Sequence, residues 1–206
     1  MPRIAPRPAT KTAVVTEYRR AQILEAARRS FARRGLHATT VDDIAKAARV
    51  AKGTVYLYYR SKDQLLKHAL TEGIAGLRVE TLPIIASDAP VEARLRRFLT
   101  AMIAFFDRHR DFIELCQTEL SAEMRIRAKQ KWGQIYAEQA RAWDRALAKA
   151  AKEGAIERVN ASRAAVAIVS LAHGLAIQHL RGWTTGALED NVAEACGLLW
   201  KGLARR

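Results

Sequence analysis

Apolar residues recur every three to four positions from Thr16 to Arg34. Ile23, Leu24, Ala27 and Phe31 fall on one helical face, while Arg19, Arg20, Glu25, Arg28 and Arg29 cover the others. Gly35 stands where a helix commonly ends in a left-handed residue, and Leu36 can fold back onto the last turn. Thr40-Val41-Asp42-Asp43 announces the next helix. Thr40 can cap the free amides, and the two acids suit the positive end of the helix dipole. Its apolar positions, Val41, Ile44, Ala45 and Ala48, keep helical spacing. A short break at Arg49-Val50-Ala51 leads into Lys52–Tyr59, where Val55 and Tyr59 share a face. Ser61 then caps a fourth helix carrying Leu65, Leu66, Ala69, Leu70 and Ile74.

The rest of the chain also reads as helix. Breaks are predicted at Ser87-Asp88-Ala89-Pro90, near His109-Arg110, near Ser121-Ala122, from Gly154 to Asn160, and from Gly182 to Ala187. No segment alternates with the period of two that marks a half-buried strand, and no internal repeat is evident. The expected fold is all-α with about nine helices. A flexible basic arm (1–15, with Pro2, Pro6 and Pro8) is followed by a small helical domain (16–62) and a larger helical body (63–206).

Charge sharpens this division. The 206 residues carry a formal net charge of +14. Residues 1–62 hold 14 Lys/Arg against 4 Asp/Glu, and the remainder 21 against 17, so the anion-seeking surface belongs to the first third. Cys116 and Cys196 are far apart, with no CxxC spacing and no clustered histidines. Two reduced, packed thiols fit better than a zinc site, and a bridge between them stays open. No apolar segment follows the basic N-terminus as in a signal peptide. The longest unbroken apolar run, Ala164 to Val169, is far shorter than a membrane span, so a soluble, cytoplasmic protein is expected.

A short helix, a tight turn and a second short helix on the most basic part of the chain form a helix-turn-helix pattern. A major groove about 12 Å wide admits one helix, which needs a packed inner face and an outer face able to reach bases and phosphates. With Val55 and Tyr59 inward, Lys52, Gly53, Thr54, Tyr56, Leu57 and Tyr58 remain outward. Lys52 supplies charge, and Thr54 and Tyr58 supply hydroxyls for phosphate oxygens. Gly53 lets the helix approach DNA closely, and Tyr56 and Leu57 offer apolar contact to thymine methyls or sugar edges. Thr40 and Lys62, at two helix N-termini, are expected to clamp phosphates.

The stretches Thr39-Thr40-Val41-Asp42-Asp43-Ile44-Ala45, Lys52-Gly53-Thr54-Val55-Tyr56-Leu57-Tyr58-Tyr59 and Ser61-Lys62-Asp63-Gln64-Leu65-Leu66 closely resemble the DNA-binding domain of TetR-family regulators, over roughly residues 17–66. The resemblance implies base or phosphate contacts from Lys52, Gly53, Thr54, Tyr56, Leu57 and Tyr58, phosphate contacts from Thr40 and Lys62, and a packing role for Tyr59. Two positions depart from the family pattern. Arg49 stands where glycine is usual, in a turn that tends to need a left-handed backbone, and Tyr59 replaces the commoner Phe. A non-glycine residue at such a turn costs about 1 kcal/mol, which a phosphate contact from Arg49 could offset.

The resemblance fades after about residue 70. It further implies a homodimer made by the last two helices, about 162–182 and 189–204. The first of these is apolar on nearly all sides (Val166, Ile168, Val169, Leu171, Leu175, Ile177) and must be covered all round. The second repeats this with Val192, Ala195, Cys196, Leu199, Trp200 and Leu203. A monomer core is the alternative use of both. One recognition helix reads few base pairs, so two copies on a near-palindromic operator are expected. Residues 1–15 either add phosphate contacts or form a plain tail.

Met102, Phe105, Phe106, Phe112, Trp132, Tyr136, Trp143 and His173 are candidates to line a pocket for a small hydrophobic or aromatic effector, with His173 as a polar contact; the alternative is that they are core. No cofactor and no metal site are expected. Nor is catalysis, because the chain has no nucleophile elbow, phosphate-binding glycine loop or HExxH. The expected function is transcription regulation, as a ligand-responsive repressor. An activator, or a DNA binder without effector, remains open.

Overall fold

A computed structural model describes residues 11–118 and 120–204 of the chain. Among these the protein forms nine α-helices: α1 (Lys11–Arg34), α2 (Val41–Ala47), α3 (Lys52–Tyr58), α4 (Lys62–Ala86), α5 (Val91–Arg108), α6 (Arg110–Thr118), α7 (Ala122–Lys152), α8 (Ala161–Leu180) and α9 (Leu188–Lys201). No described residue is in a strand. The chain divides into two compact units, one ending at Leu70 and the other beginning at Thr71. That boundary lies eight residues beyond the expected one, because the first turns of α4 place Leu65, Leu66 and Ala69 in the N-terminal core.

The N-terminal unit is built on α1. Ile23, Leu24, Ala27 and Phe31 are buried with Ile44, Ala45 and Ala48, and with Val55 and Tyr59 from the third helix and its cap. Each such large side chain contributes roughly 1.5–3 kcal/mol by leaving water. The helix ends follow the local chemistry. Gly35, at φ 78°, donates its amide to Phe31 O at 2.9 Å, and Ser61 Oγ accepts from Gln64 N at 3.1 Å. The first helix begins at Lys11, inside the stretch 1–15 read as a flexible arm. Its early residues Val14, Val15 and Tyr18 are exposed and share no core face, so periodicity could not reveal them. Residues 1–10 of that arm lie outside the described residues.

The C-terminal unit is organised on α5. Leu95, Phe98, Leu99, Met102, Ile103, Phe105 and Phe106 are all buried there, and the helix packs against α8 and α9. The eighth helix also packs against α7, and Ala165, Ala172 and Ala176 are among its buried residues. Phe98 meets Trp143 edge to face at 5.6 Å. The buried Gln139 side chain donates to Thr81 Oγ at 2.8 Å, and Thr81 donates to Leu77 O at 2.7 Å. This polar pair is thus satisfied inside an apolar core. By length and composition alone α8 is long and apolar enough to cross a membrane. A count of unbroken apolar residues overlooks this because Ser170 interrupts the run; the helix packs against α5 and α7 on one side and leaves Val166 exposed. Cys196 is a buried free thiol, and the Cys116 side chain lies outside the described residues.

Candidate nucleic-acid interface and ligand cavity

The second helix is fixed at its start by a reciprocal capping box. Asp43 N donates to Thr40 Oγ at 3.2 Å, while Thr40 N and the Thr40 hydroxyl donate to Asp43 Oδ2 at 3.0 and 2.7 Å. Arg34 adds an ion pair at 2.6 Å. The hydrogen bonds from Thr40, reinforced by Arg34, pull the Asp43 carboxyl down to about 2. A phosphate oxygen needs a donor, and the single hydroxyl donor of Thr40 is engaged here, next to a carboxylate.

The helix ends in a Schellman turn: Val50 N donates to Ala45 O at 3.0 Å and Arg49 N to Lys46 O at 3.1 Å. Arg49 occupies the left-handed position, with φ 54°, the only non-glycine residue with positive φ among those described. Its side chain is exposed.

The third helix presents four pairs of residues four apart. Val55 and Tyr59 are 1% exposed and anchor it inward. The remaining pairs, Lys52 with Tyr56, Gly53 with Leu57 and Thr54 with Tyr58, form the outer surface and its rim. Tyr56 is 45% and Leu57 83% exposed, while Thr54 and Tyr58 are half-buried. A Cβ at Gly53 would meet nothing within 4 Å, so nothing inside the protein requires glycine there. Lys52 Nζ pairs with Asp42 at 2.8 Å, which raises the lysine's pKa; both partners are half exposed. Six of the eight expected DNA-contact residues therefore lie together on one short helix.

The other two, Thr40 and Lys62, have internal partners. Lys62 Nζ donates to Leu36 O at 2.9 Å, Thr39 O at 3.1 Å and His37 O at 3.5 Å. All three ammonium donors thus tie the start of α4 to the loop between α1 and α2. Sequence spacing also missed a cluster behind the third helix. Arg20 Nε donates to the Tyr59 hydroxyl at 3.3 Å, Arg20 Nη2 lies 3.3 Å from His68 Nδ1, and the Tyr59 and His68 rings are 5.4 Å apart. The tyrosine hydroxyl at this position therefore has a partner at the core edge.

The C-terminal unit contains a cavity of about 420 Å³. Of the expected lining residues, Phe105, Phe106, Phe112, Trp132 and His173 reach it. Phe106, Trp132 and His173 form a cluster, with ring centroids 5.4 Å apart for Phe106–Trp132 and 5.6 Å for Phe106–His173. Burial pushes the His173 pKa down, so the ring is neutral near pH 7. Met102, Tyr136 and Trp143 do not line the cavity. Met102 and Trp143 are in the core, Met102 beside Gln139 and Trp143 against Phe98. Tyr136 is hydrogen-bonded through its hydroxyl to Ser170. Helical spacing identifies an aromatic face but not the neighbour it meets. Gly73, Ile74, His109, Ile113, Ala128 and Ile177, together with Arg125 and Lys129, complete the lining. The signal for the α7 part was present in the spacing 125, 128, 129, 132, a single helical face joining two cations to Ala128 and Trp132.

A family model described as bacterial regulatory proteins, tetR family, matches residues 23–69. The HTH-type transcriptional regulator YhgD of Bacillus subtilis is 32% identical over 99 residues, covering 48% of this chain and 52% of that protein. The HTH-type transcriptional repressor KstR2 of Mycobacterium tuberculosis is 33% identical over 101 residues, covering 49% and 50%. The chain spans about half the length of the curated relatives it matches. Among solved structures, the regulator FadR from Bacillus subtilis in complex with stearoyl-CoA superposes with a TM-score of 0.65 at 22% identity, over 88% of this chain and 98% of that one. A TetR/AcrR-family regulator from Thermobifida fusca gives 0.63 at 25% identity, over 92% and 100%. These likenesses are to transcription regulators, and none is to an enzyme. Residues 23–69 match the tetR family of bacterial regulatory proteins by sequence, and the chain shares its fold with solved regulators of that kind.

Proposed function

We propose that the protein is a cytoplasmic, homodimeric transcriptional repressor that binds a near-palindromic operator and releases it when a small molecule enters the cavity. The observation that carries this reading is the outer face of α3. Two large side chains, Tyr56 and Leu57, stand exposed beside a glycine that the protein's own packing does not require. That face suits base edges in a major groove, with Lys52, Thr54 and Tyr58 on neighbouring phosphates. Arg49, exposed in the turn just before α3, is a further phosphate contact. Thr40 and Lys62 act first by holding α2 and the start of α4, and any phosphate contact of theirs is secondary.

Dimerisation through α8 and α9 is supported by Val166 and Leu198, 49% and 65% exposed on helices otherwise rich in apolar residues. The repressor sense draws on KstR2, a relative named as a repressor. The fourth helix supplies Leu65 and Leu66 to the N-terminal core and Gly73 and Ile74 to the cavity lining, so a ligand that favours one placement of this helix shifts the population that can bind DNA. FadR holding stearoyl-CoA illustrates an effector bound by a regulator of this fold. A cavity of this size also favours the effector reading over a DNA binder without one.

Footprinting on the protein's own upstream DNA, with transcription measured in vitro, tests the reading. Protection of paired half-sites about 10 bp or a multiple apart, with falling transcription, is expected. Rising transcription would make the protein an activator. Protection without any sequence preference would remove the operator-reading role.

A further inference from the structure

The cavity is apolar along its wall and cationic where α7 borders it. Phe106, Phe112, Trp132 and Ile177 supply hydrocarbon and ring surface, and the lining contains no aspartate or glutamate. Arg125 and Lys129 are both exposed and stand four residues apart, on one face of the seventh helix. The neighbouring acid, Glu123, is engaged by Arg127 at 2.8 Å. Among the described residues, no ion pair or side-chain hydrogen bond engages Arg125 or Lys129. His173 is held neutral by burial and makes ring contacts to Phe106 and Trp132, so it adds a hydrogen-bonding group without adding charge.

From this lining we propose that the effector is an amphipathic anion, with an apolar chain or ring system against Phe106 and Trp132 and an acidic head group held by Arg125 and Lys129. The proposal rests on reading the cavity as the effector site. A neutral hydrocarbon would leave both cations without a partner at the border. A cationic ligand would meet two like charges and no compensating acid. A carboxylate or a comparable acid meets two donors in ionised form, the stronger class of hydrogen bond, while its apolar part leaves water.

The test uses the full chain and three straight-chain amphiphiles of similar length with different head groups: decanoate, 1-decanol and decyltrimethylammonium, each titrated calorimetrically. Decanoate is expected to bind roughly ten-fold or more tightly than decanol, with the cation weakest. The double variant Arg125→Ala/Lys129→Ala loses that advantage and binds decanol as the unmodified protein does. Arg141→Ala/Arg145→Ala, which removes the same charge elsewhere on α7, retains it. Equal binding of decanoate and decanol, or equal losses in both double variants, overturns the anion proposal while leaving the cavity as a ligand site. Binding of none of the three would overturn the effector-site reading itself, and the anion with it. Both pairs of side chains are exposed, and a thermal melt of each variant verifies folding.

Discussion

Two neighbouring residues hold the folded chain below its attainable stability, and both lie where DNA is expected. Gly53 sits inside a helix, where alanine would be more stable by about 0.5–1 kcal/mol, and its missing Cβ would meet open space. Arg49 sits at φ 54°, where glycine would relieve about 1 kcal/mol of strain. Gly53→Ala and Arg49→Gly are therefore each expected to raise the melting temperature while weakening operator binding. For Arg49→Gly, the dependence of log affinity on log salt becomes shallower by about one unit, the signature of one lost phosphate contact. Unchanged affinity in both variants would mean that neither position is shaped by DNA. Asp43 offers a pH-dependent counterpart. Its folded pKa of about 2 lies below the ordinary 3.8, so its stabilisation is complete above pH 3.8 and fades as pH falls toward 2. Melts of wild type and Asp43→Ala should differ at neutral pH and converge through that window. A gap that persists at pH 2 would assign the effect to packing rather than charge.

At the scale of elements, the joints are local chemistry and the partnerships are not. The breaks at Gly35, at Ser87–Pro90 and at Gly182–Ala187 follow from glycine, proline and capping residues, and were legible in the sequence for that reason. The start of α1 was not, because Val14 and Val15 have no core to face. Nor was the role of Lys62, whose carbonyl partners lie 23 to 26 residues earlier in the chain. The cavity shows the same limit: Trp132 and Trp143 are both aromatic at helical spacing, yet one lines it and the other packs on Phe98. Lys62 supplies a direct check on the joint it forms. Lys62→Met keeps the stem but removes the donors, and should cost about 1–2 kcal/mol, seen as a lower melting temperature. Full stability together with weakened DNA binding would restore Lys62 as a phosphate clamp.

Across the whole molecule, the proposed function gives different partners to the excess positive charge of the first 62 residues and to the apolar surface of the last two helices, DNA for one and a second copy of the chain for the other. Val166→Glu with Leu198→Glu places charge on exposed apolar positions, and should leave the helices folded while shifting sedimentation from dimer to monomer and abolishing tight operator binding. Persistent dimers would move the interface elsewhere. Whether α3 reads sequence is decided by a salt series of binding to the protected upstream site and to a scrambled duplex, for wild type and Tyr56→Ala. Wild type is expected to prefer its site at every salt concentration. Tyr56→Ala should lose about 1–3 kcal/mol of that preference with an unchanged salt slope. Equal binding to both duplexes by wild type, or full discrimination retained by Tyr56→Ala, would contradict a sequence-reading role for α3.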